Sequence, residues 1–418
     1  GGAFGGVNYL ELPSALTGVK ARIVIMLGKW FPTGAHKVGA AFGCLVPRLI
    51  TGRFDPTVEK AVWPSTGNYC RGGAYDSNLL GCESIAILPE GMSKERFAWL
   101  SKVAGETIKT PGTESNVKEI FDKCNELRNS GDKLQIFNQF EDMGNYLWHY
   151  TVTGPAMAEL ISSLTCKAEQ FRGVVLCTGS GGTIASGDYL KTLYPGSRIA
   201  ASEAAQCPTL LNNGFGDHRI EGIGDKHVPW VHNVKNTDLV IAVDDEVPMQ
   251  LIRLFNEDVG KEFLAARGVD PKLVEKLNLL GISSVANVVA SVKFAKYYEL
   301  TEEDLIVTMA TDSMEMYGSR LTELTEARGR MDVVASAMAW AALRQTGTDR
   351  MEELTYVSRK RIHNLKYYTW VEQQGKSHEE IQSQWYDPSY WTKIPALAPQ
   401  VDERINEFNQ RTGLLAAL

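Results

Sequence analysis

The chain has 418 residues, 44% of them hydrophobic and 22% charged, with 43 basic against 50 acidic residues and a formal charge of −7. That length suits two substantial lobes and an appendage, and a net-acidic chain without a long basic tract points away from nucleic acid as its partner. No run of about 18 uncharged apolar residues offers a membrane span. The opening GGAFGGVNYLELP lacks the charged and apolar regions of a signal peptide and begins abruptly, as if residues preceded it. The seven cysteines contain no CxxC pair and the seven histidines no HExxH spacing. Neither a disulfide framework nor a metal site is expected, and a reducing cytoplasm is the expected location.

In chain order, the first apolar run, Arg22–Met26, reads as a strand. A turn at Pro32 and Gly34 follows, and a small-residue helix starts near Lys37. A lysine amine attacks a carbonyl carbon only when deprotonated, which needs desolvation or a cationic neighbour, and an apolar turn-to-helix junction can supply that. Taken alone, a lysine in such a place is far more often structural. The strand-like Ala61, Val62 and Trp63 lead into Ser65, Thr66, Gly67, Asn68 and Tyr69. A turn with two hydroxyls, an amide and backbone donors suits a carboxylate or a ring oxygen, although an ordinary Asx turn explains it as simply.

Ser84–Leu88 reads as a strand, and Ser93–Ala104, Ser115–Arg128 and Gly154–Leu164 carry helix-spaced apolar residues. Gly173–Cys177 is a strand that runs into Gly179, Ser180, Gly181, Gly182 and Thr183 and then a helix. A dinucleotide fingerprint needs glycine where Ile184 stands, a Walker loop needs Gly-Lys-Ser/Thr, and a nucleophile elbow needs glycine where Thr178 stands. A small phosphate held by backbone amides at a helix start is what remains beside a merely tight turn. Further strands are expected at Arg198–Ser202, Leu239–Val243 and Leu305–Met309. The alternation implies βαβ units, parallel sheets covered on both faces, and ligands at the carboxyl ends of the strands. From about Arg330 the texture becomes helical and rich in Tyr and Trp, as in an extension packed on the body or across an oligomer interface. Within it, Arg359, Lys360 and Arg361 read as a solvated helix face.

The motifs Gly34-Ala35-His36-Lys37, Ser65-Thr66-Gly67-Asn68 and Gly179-Ser180-Gly181-Gly182-Thr183 occur in an order and spacing that resembles fold-type II pyridoxal-phosphate enzymes. Asn138-Gln139-Phe140 with Thr153-Gly154-Pro155, the loop Ile220–Pro229, Leu280–Ser284 and Asp312–Tyr317 narrow the resemblance to the cysteine synthase and cystathionine β-synthase branch. The likeness spans about Gly28 to Tyr317, with an apparent insertion near Asn256–Asn278. It implies an α/β fold of two parallel-sheet lobes, tryptophan synthase β-like, with a helical C-terminal extension. Residues 1–28 would join the larger lobe, 29–162 form the smaller mobile lobe, 163–330 the larger cofactor lobe, and 331–418 the extension.

The resemblance also implies the roles. Lys37 would form the Schiff base with pyridoxal 5′-phosphate and then move the α-proton. Asn68 would bond the ring hydroxyl oxygen, Gly179, Ser180, Gly181, Gly182 and Thr183 would hold the phosphate, and Gly222 would flank the ring. Ser65, Thr66, Gly67, Tyr69 and Gln139 would hold the substrate. Ser313, in preference to the adjacent Asp312, would meet the pyridine nitrogen, leaving a weak electron sink that favours loss of a β-substituent over transamination.

Some positions depart from the family. His36 precedes the lysine as in the tryptophan synthase β chain, Tyr69 replaces a small threonine, and Ser65 and Thr66 exchange the usual hydroxyl order. Asp225 is either a general base for a second substrate or a solvated loop carboxylate. The expected function is β-elimination or β-replacement on a small amino acid through an aminoacrylate, by a cytoplasmic homodimer, with neither nucleic acid nor membrane as partner. Two alternatives stay open. One is a pyridoxal-phosphate subunit of a thiolase-like α-carbon lyase, docked to a second subunit; the other is a scaffold that binds the cofactor without turnover.

Overall fold

A computed structural model describes residues 6–413. Its strands are β1 (Tyr9–Leu12), β2 (Arg22–Leu27), β3 (Lys60–Pro64), β4 (Ser84–Pro89), β5 (Glu106–Thr110), β6 (Leu134–Ile136), β7 (Phe171–Cys177), β8 (Arg198–Ala204), β9 (Leu239–Val243), β10 (Leu305–Ala310) and β11 (Met351–Glu353). They form a seven-stranded sheet in the order β1-β2-β10-β7-β8-β9-β11 and a four-stranded sheet in the order β5-β4-β3-β6. The smaller sheet is wholly parallel. In the larger, only the two edge strands β1 and β11 run antiparallel to their neighbours.

The central strands are short and almost wholly buried, and most of their residues are apolar, because helices cover both faces and alternation is not required. One face of the larger sheet packs Ile23, Ile25, Val175 and Ile306 against the helices Glu246–Asn256 and Ile282–Tyr297. The other packs Val24, Val174, Ile199 and Val307 against Met157, Leu160 and Ile161. Those last three belong to the helix Gly154–Leu164. The expected lobe boundary near Ser162 therefore falls inside a helix whose apolar face is buried on the larger sheet. A π-helical turn, His149–Thr153, joins this helix to Met143–Trp148 and carries His149 to within 5.3 Å, ring to ring, of His36.

The expected insertion is ordered: helices Asp258–Ala266 and Pro271–Val274 bury Phe263, Leu264 and Val274 in the larger core. All seven cysteines are free. Among the described residues no helix is long and apolar enough to cross a membrane.

The extension is helical over Val333–Arg344, Tyr356–Asn364, His378–Tyr386 and Ala398–Thr412, yet it also contributes β11 to the larger sheet. Trp370 and Trp385 are buried, whereas Tyr368 and Tyr386 are exposed. The basic run is not a solvated face. Arg359 donates to the Thr237 carbonyl at 2.7 Å and to Asp238 at 3.0 Å, and Arg361 to the Leu210 and Leu211 carbonyls at 3.0 and 3.1 Å. Lys360 lies over the Trp385 and Tyr386 rings. The two arginines fasten the extension to loops of the larger sheet, and Lys360 packs within the extension.

Candidate active site

Lys37 opens the helix Lys37–Ile50, just beyond the carboxyl end of β2. Its ammonium donates to Gln139 Oε1 at 3.0 Å and to Ser180 Oγ at 2.9 Å. It faces a cavity that Ser65, Thr66, Asn68, Tyr69, Phe140, Gly179, Gly222, Asp225 and Thr311 also line. Burial pulls the amine down to about 8 from the usual 10.5, against the opposing pull of Asp225, Cys44 and Glu114. An amine near 8 is free often enough at neutral pH to act as a nucleophile. The neighbouring His36 ring is buried, with neither nitrogen partnered, and burial together with the Lys37 charge holds it neutral, at about 3.

Opposite the amine, the chain leaves β7 through Thr178 and turns at Gly179–Thr183 before the helix Ile184–Leu193. The amides of Gly179, Ser180, Gly181, Gly182 and Thr183 donate to no backbone carbonyl or side chain among the described residues. Five free N–H groups at a helix start form an anion cradle. The glycines are required there. Gly181 has φ +74°, a Cβ on Gly182 would strike Asn145 Oδ1, and one on Gly179 would come within 2.7 Å of the Gly222 carbonyl. Asn145 also donates to Ser180 Oγ at 3.0 Å, fixing the loop to the Lys37 side.

The turn after β3 presents Ser65 to Tyr69. Gln139 Nε2 donates to Ser65 Oγ at 3.0 Å, so one glutamine bridges this turn to Lys37. Gly67 takes φ +150°, and a Cβ there would lie 2.6 Å from Arg96 Cδ. Tyr69 lines the cavity, but its hydroxyl donates to the Phe137 carbonyl at 3.2 Å. Asn68 is committed on both sides: Nδ2 donates to Asp312 Oδ2 at 2.7 Å and Oδ1 accepts from Arg71 at 3.1 Å.

At the far end the structure brings in Asp312 and Thr311 and leaves Ser313 aside. Asp312 is fully buried, its Oδ2 also accepts from the Tyr317 hydroxyl at 2.7 Å, and its Oδ1 has no partner. Ser313 is buried before the turn Met314–Met316 and hydrogen-bonds to no cavity residue. Asp225 is no solvated loop carboxylate: it is buried and lines the Lys37 cavity with Oδ2 unpartnered. Burial lifts it to about 7, tempered by the Lys37 charge.

Sequence reasoning missed the charged wall behind this cavity. Arg96, fully buried, donates to the Thr66 carbonyl at 2.9 Å and the Tyr317 hydroxyl at 2.8 Å, pairs with Glu221 at 3.0 Å, and lies 3.8 Å from both Glu114 and Asp312. Arg71, also buried, donates to the Thr33 carbonyl and stacks on Trp99. Glu221, Asp312 and Tyr317 lie in segments that carry the resemblance, but Arg71, Arg96 and Glu114 belong to none of them, and no spacing signal gathers the six.

A desolvated lysine facing a row of free amides defines a protein that captures a phosphorylated carbonyl compound by its aldehyde and its phosphate. The donor set and cradle fit pyridoxal phosphate, and a family model described as "Pyridoxal-phosphate dependent enzyme" matches residues 3–262. The chain belongs to that family and is a pyridoxal-phosphate enzyme. It is 28% identical over 314 residues to a cysteine synthase of Staphylococcus aureus, covering 75% of this chain and 93% of that protein. It is 28% identical over 322 residues to the cystathionine beta-synthase of Saccharomyces cerevisiae, covering 75% of this chain and 60% of that protein. An O-acetylserine dependent cystathionine beta-synthase from Helicobacter pylori shares the fold, with a TM-score of 0.63 and 24% identity over 75% of this chain and 95% of the other.

Proposed function

We propose that the protein catalyses pyridoxal-phosphate-dependent β-elimination or β-replacement on a small amino acid. The observation that carries this reading is the Lys37 amine, within 3.0 Å of Gln139 and 2.9 Å of Ser180, between the Ser65–Asn68 turn and the phosphate cradle. Similarity to cysteine synthases and cystathionine beta-synthases supports the same class of reaction.

In this reading Gly179–Thr183 bind the cofactor phosphate and Lys37 binds its aldehyde carbon. When bound, the cofactor supplies an electron sink for the α-carbon. The hydroxyls of Ser65 and Thr66 and the Gln139 amide orient the substrate carboxylate, and the freed Lys37 amine takes the α-proton at Nζ. Asp225, near 7 and unpartnered at Oδ2, holds or accepts a proton from water or an incoming nucleophile. Burial of the whole cavity keeps bulk water from the bound substrate.

The test presents the holoenzyme with serine, O-acetylserine, cysteine, threonine and 2,3-diaminopropionate, and measures keto acid and ammonia, or the adduct of an added thiol. The expected result is β-substituent loss from at least one. Silence with all five, together with thiol-dependent cleavage of an amino-keto acid, would replace this reading by α-carbon chemistry.

A further inference from the structure

Beside the Lys37 cavity lies a second, larger one, lined among others by Gly91, Met92, His218, Glu221 and Arg320. The wall between the two holds Glu114. Its side chain is 1% exposed and lines the larger cavity, and neither carboxyl oxygen has a hydrogen-bond partner. The Thr66 hydroxyl, on the turn beside Lys37, and the Gly222 amide, which also borders that cavity, lie next to it.

Its position is held from both sides. Thr113 and Ser115 each donate to Asp217, at 3.0 and 3.2 Å, and the Thr113 amide donates to Asn116 at 2.9 Å. The surrounding cations are committed elsewhere. Arg96 pairs with Glu221 at 3.0 Å and stays 3.8 Å from Glu114, Arg320 pairs with Glu221 at 2.6 Å, and Arg219 and Arg328 pair with Asp245 and Glu246. The one ion pair of Glu114 among the described residues is the long contact with Arg96, which Glu221 and Asp312 share, and a buried carboxyl held so loosely is costly unless it has something to meet. Burial raises it to about 8, against the Arg96 charge and with help from Glu221, so at neutral pH it carries a proton it can give.

We propose that Glu114 is the general acid for the departing β-substituent, and that the adjoining cavity receives a group that leaves poorly without a proton, so the substrate is a β-amino or β-hydroxy amino acid. The inference rests on the β-elimination reading above. The α-proton goes to Lys37 Nζ and the electron pair of that C–H bond becomes the new carbon–carbon π bond. The β carbon–nitrogen or carbon–oxygen bond breaks, its electron pair leaves with the heteroatom, and the Glu114 proton joins it to give ammonia or water. Solvent in the larger cavity reprotonates the carboxylate. Asp225, beside Lys37, stays free for the second half of the reaction.

The experiment uses the holoenzyme and its Glu114→Gln variant, with 2,3-diaminopropionate and serine set against β-chloroalanine, whose chloride departs without a proton. Glycine binding, followed by the cofactor absorbance, reports on the intact site. Glu114→Gln is expected to lose about 100-fold or more on serine and diaminopropionate while staying within about threefold on β-chloroalanine, with glycine affinity unchanged. The ratio is taken within one preparation, so a partly unfolded variant does not disturb it. Equal losses on all three substrates, or no loss on the first two, would overturn the role. Wild-type turnover of β-chloroalanine alone would overturn the substrate class. A wild type silent with all three would instead sink the β-elimination reading itself.

Discussion

The Lys37 cavity has two walls of opposite character. On one, Gly179–Thr183, Ser180, Asn145 and Gln139 offer neutral dipoles and five amides without acceptors. On the other, Arg96, Glu221, Asp312 and Tyr317 are linked in a buried charge cluster, which Arg71 joins through Asn68. The first wall is incomplete until an anion arrives, so its energy is spent on ligand. The second asks little of a ligand and fastens the turn after β3 and the helix Lys94–Val103 to loops of the larger sheet. Changes on the first wall should alter binding and turnover with the fold intact, and changes on the second should loosen the fold.

The largest effect belongs to Lys37, which donates to Gln139 and Ser180 of the first wall. Lys37→Ala should abolish the chromophore that borohydride fixes to the protein and lower turnover by roughly 10² to 10⁴-fold, the range a positioned proton-transfer group supplies. The thermal midpoint of the apoprotein should hold or rise, because a desolvated cation is removed. A marked fall in the midpoint would mean that this wall, too, is structural.

On the second wall, Arg96→Met should cost about 3–5 kcal/mol of stability, since it leaves the fully buried Asp312 carboxylate without its ion-pair partner and Glu221 with Arg320 alone. Urea unfolding of the apoprotein measures it. A loss below about 1 kcal/mol would show that the cluster is a local ornament.

A subtler probe joins Lys37 to Asp225. With the amine near 8, the rate at which apoprotein takes up pyridoxal phosphate should climb about tenfold per pH unit below pH 8 and then level off. The Asp225 charge holds that amine up, so Asp225→Asn should move the plateau to lower pH. An unmoved plateau would separate the two groups.

The contrast between the walls also explains what could be read in advance. The six apolar runs expected as strands are all present, because central parallel strands must be apolar throughout. Four strands escaped notice, β1, β5, β6 and β11, and they are the four sheet edges. Edge strands are half exposed, so Glu106–Thr110 or Met351–Glu353 carries no continuous apolar run to betray it. The site divides in the same way. Lys37, the Ser65–Asn68 turn and Gly179–Thr183 are contiguous motifs whose local conformation is set by glycines and turn residues. Arg96, Glu114, Glu221 and Asp312 meet only through tertiary packing, and Arg96 and Glu114 alone read as surface charges.

The smallest effect settles a choice at the boundary between the walls. Asp312 and Ser313 are adjacent, and sequence preference fell on the serine as the partner of the pyridine nitrogen. Asp312 receives hydrogen bonds from Asn68 and Tyr317 and keeps one oxygen unpartnered, whereas the Ser313 side chain hydrogen-bonds to no cavity residue. Asp312→Asn removes a charged acceptor from Asn68, so cofactor retention should weaken about tenfold, near 1.4 kcal/mol, just under what a hydrogen bond to a charged group contributes. Ser313→Ala should change the cofactor dissociation constant by less than about threefold and stability by less than about 0.5 kcal/mol. Equilibrium dialysis of pyridoxal phosphate against each variant distinguishes them. A larger loss at Ser313 than at Asp312 would return the ring contact to the serine, and with it the expectation of an unprotonated pyridine.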